Sequence, residues 1–325
     1  MNISRYKFLV IFFLAASSAG IFSLFAVDPA SATELTNGEV GPGTDKAWWV
    51  LPLSLFIFTF ILGIVAIAAG IGGGVLFVPI VSGFFPIGID FVRGAGLMVA
   101  LAGAISASPA LLKKGLANLR LAIPMALIAS ASSIVGAKIG LSLPAHLVQI
   151  FLGIIIVGIV AILLIAKKSE FPQVTKEDTL ATKLGIGGTY FEESTGASVP
   201  WRVHRVVLAM FLFVIIGFLA GMFGLGAGWA NVPVLNLVLG APLKIAVGTS
   251  IFILSLTDTT AAWVYLNNSA IIPLIVVPSM AGMMLGTRIG VKVLEKTKPG
   301  LIKWGVIVLL GLTGIRSLLK GLGIW

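Results

Sequence analysis

The chain has no cysteine and only two histidines in 325 residues, and just 10% of its residues are charged. The missing thiols exclude disulfides, thiolate metal centres and any cysteine-based sulfur relay. His146 and His204 stand at the edges of loops, where solvation rather than ligation is the expected role. Charge is too scarce for a soluble globule, in which about a quarter of residues are charged. What fills the chain is apolar: 58% of residues are hydrophobic and the mean hydropathy is +1.11. No charged side chain occurs over residues 47–89, 94–112, 139–166 or 206–243, and about 20 apolar residues suffice to cross the hydrocarbon of a bilayer. The chain therefore reads as an all-α polytopic membrane protein whose first partner is the lipid bilayer.

A net charge of +10 would suggest nucleic acid in a soluble protein. Here the Lys and Arg residues lie in short loops between apolar segments, as the positive-inside rule requires of cytoplasmic loops, so no nucleic-acid partner is expected. At the N-terminus Arg5 and Lys7 precede the apolar run 8–26, and Ala30-Ser31-Ala32 fits a small-x-small cleavage site. The run exceeds the core of about 7 to 15 residues usual in a signal peptide. Residues 1–47 thus read either as a cleaved signal or as a retained anchor helix, followed by an extracytoplasmic linker.

A glycine-broken stretch occurs twice. Gly70-Ile-Gly-Gly-Gly-Val-Leu-Phe-Val-Pro79 recurs 154 residues on as Gly224-Leu-Gly-Ala-Gly-Trp-Ala-Asn-Val-Pro233, and the same offset pairs Gly63 with Gly217 and Gly94 with Gly248. The first repeat is expected over 48–168 and the second over 205–325. Residues 169–204 form a polar cytoplasmic linker, either a solvated loop or a small hairpin around 189–191 and 201–203. Loop charge sets the orientation of the halves. The loop Lys113-Lys-Gly-Leu-Ala-Asn-Leu-Arg120 is basic and its counterpart Asn267-Asn-Ser269 is not, whereas the next loop is neutral at 141–146 and basic at Lys292, Lys296, Lys298 and Lys303. Equivalent loops then lie on opposite sides of the membrane, and the repeats are inverted. Each repeat should hold four full spans and one half-helix, near 75–85 in the first, with residues 85–90 extended.

Broken helices expose backbone groups that lipid cannot satisfy, so they must face protein, water or a ligand. Two such breaks at matching positions point to a binding site at the repeat interface. A half-helix N-terminus there carries about half a positive charge and suits an anion. The alternative is that the glycines only permit close helix packing. On the anion reading the backbone at Gly72, Gly73, Gly74, Gly226, Ala227 and Gly228 supplies N–H donors. Trp229, Asn231, Thr249, Ser250 and, in the first repeat, Ser106 supply side chains. Asn231 and Ser250 are the favoured ligands, although either could instead bond a neighbouring helix. Ser106 and Ser108 could complete the site or bond back to their own helix.

Asp258 stands in the middle of an apolar span, where a carboxylate costs at least about 2.5 kcal/mol unless paired or neutralised. It fits a proton carrier, a sodium ligand with Thr257 or Ser255, or a protonated acid bonding a neighbouring helix. Arg93 opens a span and is expected to snorkel to the interface rather than draw in an anion. Lys138 and Arg288, aligned through Gly136-Ala-Lys-Ile-Gly140 and Gly286-Thr-Arg-Ile-Gly290, are expected at helix ends. Enzyme, cofactor and metal readings find no support: Val75 stands where a dinucleotide fingerprint needs its third glycine, and no Walker lysine is present. An aspartyl protease of the membrane needs a second deep carboxylate, and a serine protease a buried histidine.

The paired glycine breaks ending in Val-Pro, the stretch Ala246-Val-Gly-Thr-Ser250, the Lys113–Arg120 loop and the Gly-x-[Lys/Arg]-Ile-Gly helices together resemble the sulfite exporter TauE/SafE family of membrane permeases over about residues 50–320. The resemblance implies a secondary transporter in the cytoplasmic membrane for a small sulfur-containing or organic anion, such as sulfite or a sulfonate, built from duplicated four-helix units. It assigns no role to Asp258. A related branch of thiosulfate transporters works through cysteines, which this chain lacks. The alternatives to a coupled transporter are a passive anion channel and a membrane scaffold.

Overall fold

The computed structural model describes residues 49–69, 73–85, 87–165, 172, 174, 178–192, 197–296 and 300–323. Residues 1–47, with their two readings, and Gly70 and Gly72 of the first break lie outside the described residues. Apolar sequence in a bilayer must satisfy its backbone internally, and helices do so. The first half runs α1 (Val50–Ala69), α2 (Gly74–Phe84), α3 (Ile89–Lys113), α4 (Leu119–Ser142) and α5 (Ala145–Ile165). The linker holds a short α6 (Thr179–Leu184) and the antiparallel pair β1 (Gly187–Glu192) and β2 (Ala197–Arg202). The second half is α7 (Val206–Phe223), α8 (Gly228–Pro233) prolonged by a π-helical stretch Val234–Val238, α9 (Leu243–Asn267), α10 (Pro273–Lys296) and α11 (Gly300–Gly321).

Helices α3, α4, α5, α7, α9 and α10 are long and apolar enough over their described residues to cross a membrane. The protein is all-α and polytopic. Large apolar side chains such as Leu127, Trp263 and Leu312 stand exposed around the bundle, a surface that matches lipid tails and would be a liability in water. Local signals fix the helix starts. The Asn118 side chain accepts from Leu121 N–H at 2.9 Å to cap α4, and Gly88 and Pro242, one before each long central helix, share an extended conformation (φ −57°, ψ 138° and φ −54°, ψ 144°).

Packing runs between the halves. Helix α4 lies against α7 and α10 against α1, while α3 packs on α9 and α5 on α11. Small residues bring the backbones together: a Cβ on Gly63 would sit 2.8 Å from Met283 O, and one on Gly217 would strike Ala129 O. These two contacts exchange when 154 is added to one partner and subtracted from the other. The hydroxyls follow the same rule, Ser106 donating to Met284 O at 3.1 Å and Thr260 to Ser130 O at 3.3 Å. The ends do so too: Gly94 abuts Ala270 O and Gly248 abuts Leu116 O.

Two expectations shift. The boundaries of α4 and α10 set Lys138 level with Lys292, so the two Gly-x-[Lys/Arg]-Ile-Gly motifs stand one helical turn apart in the repeat, and Arg288 lies within α10 rather than at its end. The extended link after α2 is shorter than residues 85–90, because Ile89 and Asp90 already belong to α3. In the linker the hairpin holds, with Thr189 opposite Pro200 and Tyr190 opposite Val199. Tyr190, Trp201 and Val203 are buried, and His204 N–H donates to Leu239 O at 3.0 Å. The linker is thereby seated on the end of the second half-helix.

Candidate functional site

Two left-handed glycines make the second break. Gly224 ends α7 at φ 68°, its N–H donating to Ala220 O at 3.0 Å, and Gly226 again has φ 68°. Residues with a side chain rarely adopt that conformation. Helix α8 then starts afresh: Ala230 and Asn231 N–H groups donate to Ala227 O at 3.2 and 3.0 Å. The N–H groups of Gly228 and Trp229 precede these bonds and have no intrahelical acceptor. Helix α2 begins likewise, with Leu76 and Phe77 N–H donating to Gly73 O at 3.3 and 3.0 Å, so Gly74 and Val75 are its first-turn donors.

The breaks touch each other. A Cβ on Gly74 would lie 2.6 Å from Leu225 O, and one on Gly96 of α3 would lie 2.7 Å from Gly224 O. A Cβ on Gly226 would meet Asp258 Oδ2 at 3.2 Å, Ala100 Cβ at 3.3 Å and Leu254 Cδ2 at 3.3 Å. Ala100 and Leu254 hold equivalent places near the middle of α3 and α9. Gly226 therefore lies where the two central helices meet, about halfway along the bundle.

Around this junction the second half leaves polar groups unpaired. Trp229 Nε1, both amide atoms of Asn231, Ser250 Oγ, Thr257 Oγ1 and both carboxylate oxygens of Asp258 are buried and find no hydrogen-bond partner among the described residues. Asn231, Thr257 and Asp258 are fully buried and Ser250 nearly so. Such atoms cost about 1 to 3 kcal/mol each when left unmet, so a set of them on two packed elements makes this junction the candidate site. Ser250, Leu254, Thr257 and Asp258 recur at the spacing of one helix face. At the equivalent positions of the first half stand Val75, Phe77, Gly96, Gly103 and Ala104, so the side-chain chemistry is one-sided.

Other expected site residues are placed differently. Thr249 Oγ1 accepts from Asn118 N–H at 3.1 Å and ties α9 to the loop before α4. Ser106 is spent on its bond to Met284 O, and Ser108 bonds back to Ala104 O at 2.7 Å. Ser255, offered as a sodium ligand, donates to Phe252 O at 2.7 Å. Of the expected backbone positions, Gly74 of α2 abuts Leu225 O in the second break and Gly226 faces Asp258 of α9, which packs on α8, the helix of Gly228, Trp229 and Asn231; Gly73 instead faces Met283 of α10, and Gly72 lies outside the described residues.

Arg93 corrects its expectation. Instead of snorkelling it is fully buried, paired with Asp90, and donates Nη1–H to Met222 O at 2.8 Å. Its guanidinium lies 5.7 Å from the Tyr265 ring centroid, and the Tyr265 hydroxyl donates to Gly221 O at 3.1 Å and Met222 O at 3.2 Å. The last carbonyls of α7 have no intrahelical donor, and these two side chains satisfy them next to the break. Sequence reasoning missed Tyr265 altogether. The available signal was Asp90 three residues before Arg93, a spacing at which the two face each other on a helix.

A bundle of membrane-crossing helices interrupted at its centre, with unpaired polar groups converging on the interruption, defines a protein of the membrane-transporter class. The chain matches the family described as sulfite exporter TauE/SafE over residues 55–317; it belongs to that family. It is 22% identical over 275 residues to a Bacillus subtilis protein named "Probable membrane transporter protein YunE", covering 82% of this chain and 97% of that one. A Methanocaldococcus jannaschii protein, "Probable membrane transporter protein MJ0441", is 25% identical over 287 residues, covering 83% and 96%. No solved structure matches.

Proposed function

We propose that this chain is a secondary transporter that moves a small sulfur-containing or organic anion, such as sulfite or a sulfonate, across the cytoplasmic membrane. The observation that carries the reading is the set of buried, unpaired polar groups at Trp229, Asn231, Ser250, Thr257 and Asp258 beside the junction of the two breaks. The anion sits between the first-turn N–H groups of α2 and α8, where two helix dipoles point their positive ends. Asn231 Nδ2, Trp229 Nε1 and Ser250 Oγ donate to it from the second half, while the first half contributes backbone at Gly73 and Gly74. Asp258 carries the coupling proton.

Repeats inverted as the loop charges suggest would suit alternating access by rocking of one half against the other. The start of α3 at Gly94 lies by the loop after α9, and the start of α9 at Gly248 lies by the loop after α3; this antiparallel central pair is what inverted repeats would require. The test is flux of radiolabelled sulfite and sulfonates into proteoliposomes. Asn231→Leu and Ser250→Ala should each slow uptake about tenfold or more, the loss of one to two charge-assisted hydrogen bonds, with the protein still folded. Unchanged flux in both variants sinks the assignment of the site, and Asp258→Asn with unchanged pH dependence of flux removes the coupling role.

A further inference from the structure

We infer that protonation of Asp258 is a condition of anion binding, so that the transporter carries one monoanion and one proton together with no net charge. This rests on the anion site proposed above and adds its coupling rule. Asp258 Oδ2 points at the break itself: only 3.2 Å separates it from where a side chain on Gly226 would begin. A ligand held by the backbone of that break therefore shares the space with the carboxyl group. Both of its oxygens are buried and unpaired among the described residues.

Among the described residues no cation stands by to offset two negative charges. Helix α9 packs against α3, α4, α7 and α8 with its π-helical extension. Neither α7, nor α8, nor that extension holds an ionisable residue. On α3, Arg93 is committed to Asp90, Met222 O and the Tyr265 ring, and Lys113 is exposed at the far end of the helix. On α4, Lys138 is exposed, and Arg120, also exposed, reaches Gly185 O of the linker at 3.5 Å. On α9 itself Lys244 is exposed near the first turn, about 21 Å along the helix from Asp258.

An ionised Asp258 and an anion about 5 Å apart, at an effective dielectric constant of about 20, disfavour one another by on the order of a hundredfold in affinity. A proton on the carboxyl group removes that repulsion and turns the group into an O–H donor, which the anion accepts. The proton enters with the anion and leaves with it. For a monoanion the complex that crosses is neutral, so the direction of transport follows the product of the anion and proton gradients. A dianion would keep one uncompensated charge in the site and bind more weakly.

The probes are methanesulfonate, a monoanion at every pH used, and thiosulfate, a dianion, each titrated calorimetrically into the purified full-length protein at about pH 5.5 and about pH 8.5. The wild type is expected to bind methanesulfonate at least about tenfold more tightly at the lower pH and in preference to thiosulfate. Asp258→Asn, a neutral donor at every pH, should bind it with the same affinity at both. Equal wild-type affinities at the two pH values, an unaltered pH dependence in Asp258→Asn, or tighter binding of thiosulfate overturns the inference while leaving the anion site in place. If neither probe binds the wild type at either pH, the proposed site fails and the inference with it. A second measurement needs no variant: methanesulfonate uptake into wild-type proteoliposomes should acidify the lumen and should not respond to a potassium–valinomycin potential. A lumen that stays neutral, or uptake that follows the potential, also overturns it.

Discussion

Asp178 shows what one carboxylate outside the membrane helices does. Its Oδ2 accepts from Val206 N–H at 3.0 Å and its Oδ1 from Leu180 N–H at 3.1 Å, fastening α7 and α6 to the same point. These bonds, that from Val206 foremost, hold its carboxyl below the ordinary aspartate value. A group whose pKa is depressed on folding stabilises the fold above its unfolded pKa, and that support is lost as pH falls through the folded value. Protection of 178–206 in hydrogen exchange, corrected for intrinsic rates, should therefore be full at neutral pH and fade only below the usual carboxylate range, whereas Asp178→Ala should lack it already at neutral pH. Deeper in the chain, Tyr265→Phe should lower stability by about 1 kcal/mol and Arg93→Leu by about 1 to 3 kcal/mol, read as melting in detergent. Their double variant should exceed the sum, because Met222 O keeps one donor in either single variant and loses both only together. Asp258, Asn231 and Ser250 were legible as buried polar positions, because a polar residue in an apolar span announces itself. Arg93 was not, because a cation near a span end looks like an interface anchor until its partners on α7 and α9 are brought beside it.

Among the elements, the broken helices were the most readable, since glycine and proline interrupt a helix by their own covalent structure. The sequence spacing of 154 carried through to the bounds of α3 with α9 and of α4 with α10. It could not show which hydroxyls the packing would consume. Ser106 and Thr249 look as free as Ser250 in the sequence, yet each is taken by a neighbouring element. The consequence for substitution is position-specific. Gly74→Leu drives a side chain into Leu225 O, and Gly226→Leu adds backbone strain at φ 68° to collision with Asp258. Each should cost about 1 to 3 kcal/mol through overpacking and abolish transport. Gly158→Leu, by contrast, meets nothing within 4 Å on the exposed face of α5. It should leave flux unchanged and, by its better helix propensity, raise the melting temperature slightly. Equal loss in all three would mean that the breaks are no more special than any other membrane glycine.

For the whole molecule, the cross-packing of α4 on α7 and α10 on α1 ties each half to the other through backbone contacts at glycine. The central pair α3 and α9, carrying Ala100 and Leu254 against Gly226, lies between them. A rocking motion that preserves the close glycine seams would move α1 with α10 and α7 with α4, opening the site to one face and then to the other past the two half-helices. Such a machine binds its anion in a site closed alternately to each side, whereas a channel offers an unbroken path. The two differ thermodynamically. A channel cannot hold an anion above its own electrochemical gradient, while a carrier bound to a second ion can. Proteoliposomes loaded with equal methanesulfonate on both sides and made acidic outside should therefore take up labelled anion to a transient excess, by about tenfold for a difference of about one pH unit if one proton moves per anion. Collapse of that excess by a protonophore completes the expectation. Uptake that never exceeds the level set by the anion's own gradient assigns the protein to the channels instead, with the same site serving as a selectivity filter rather than as the pivot of a carrier.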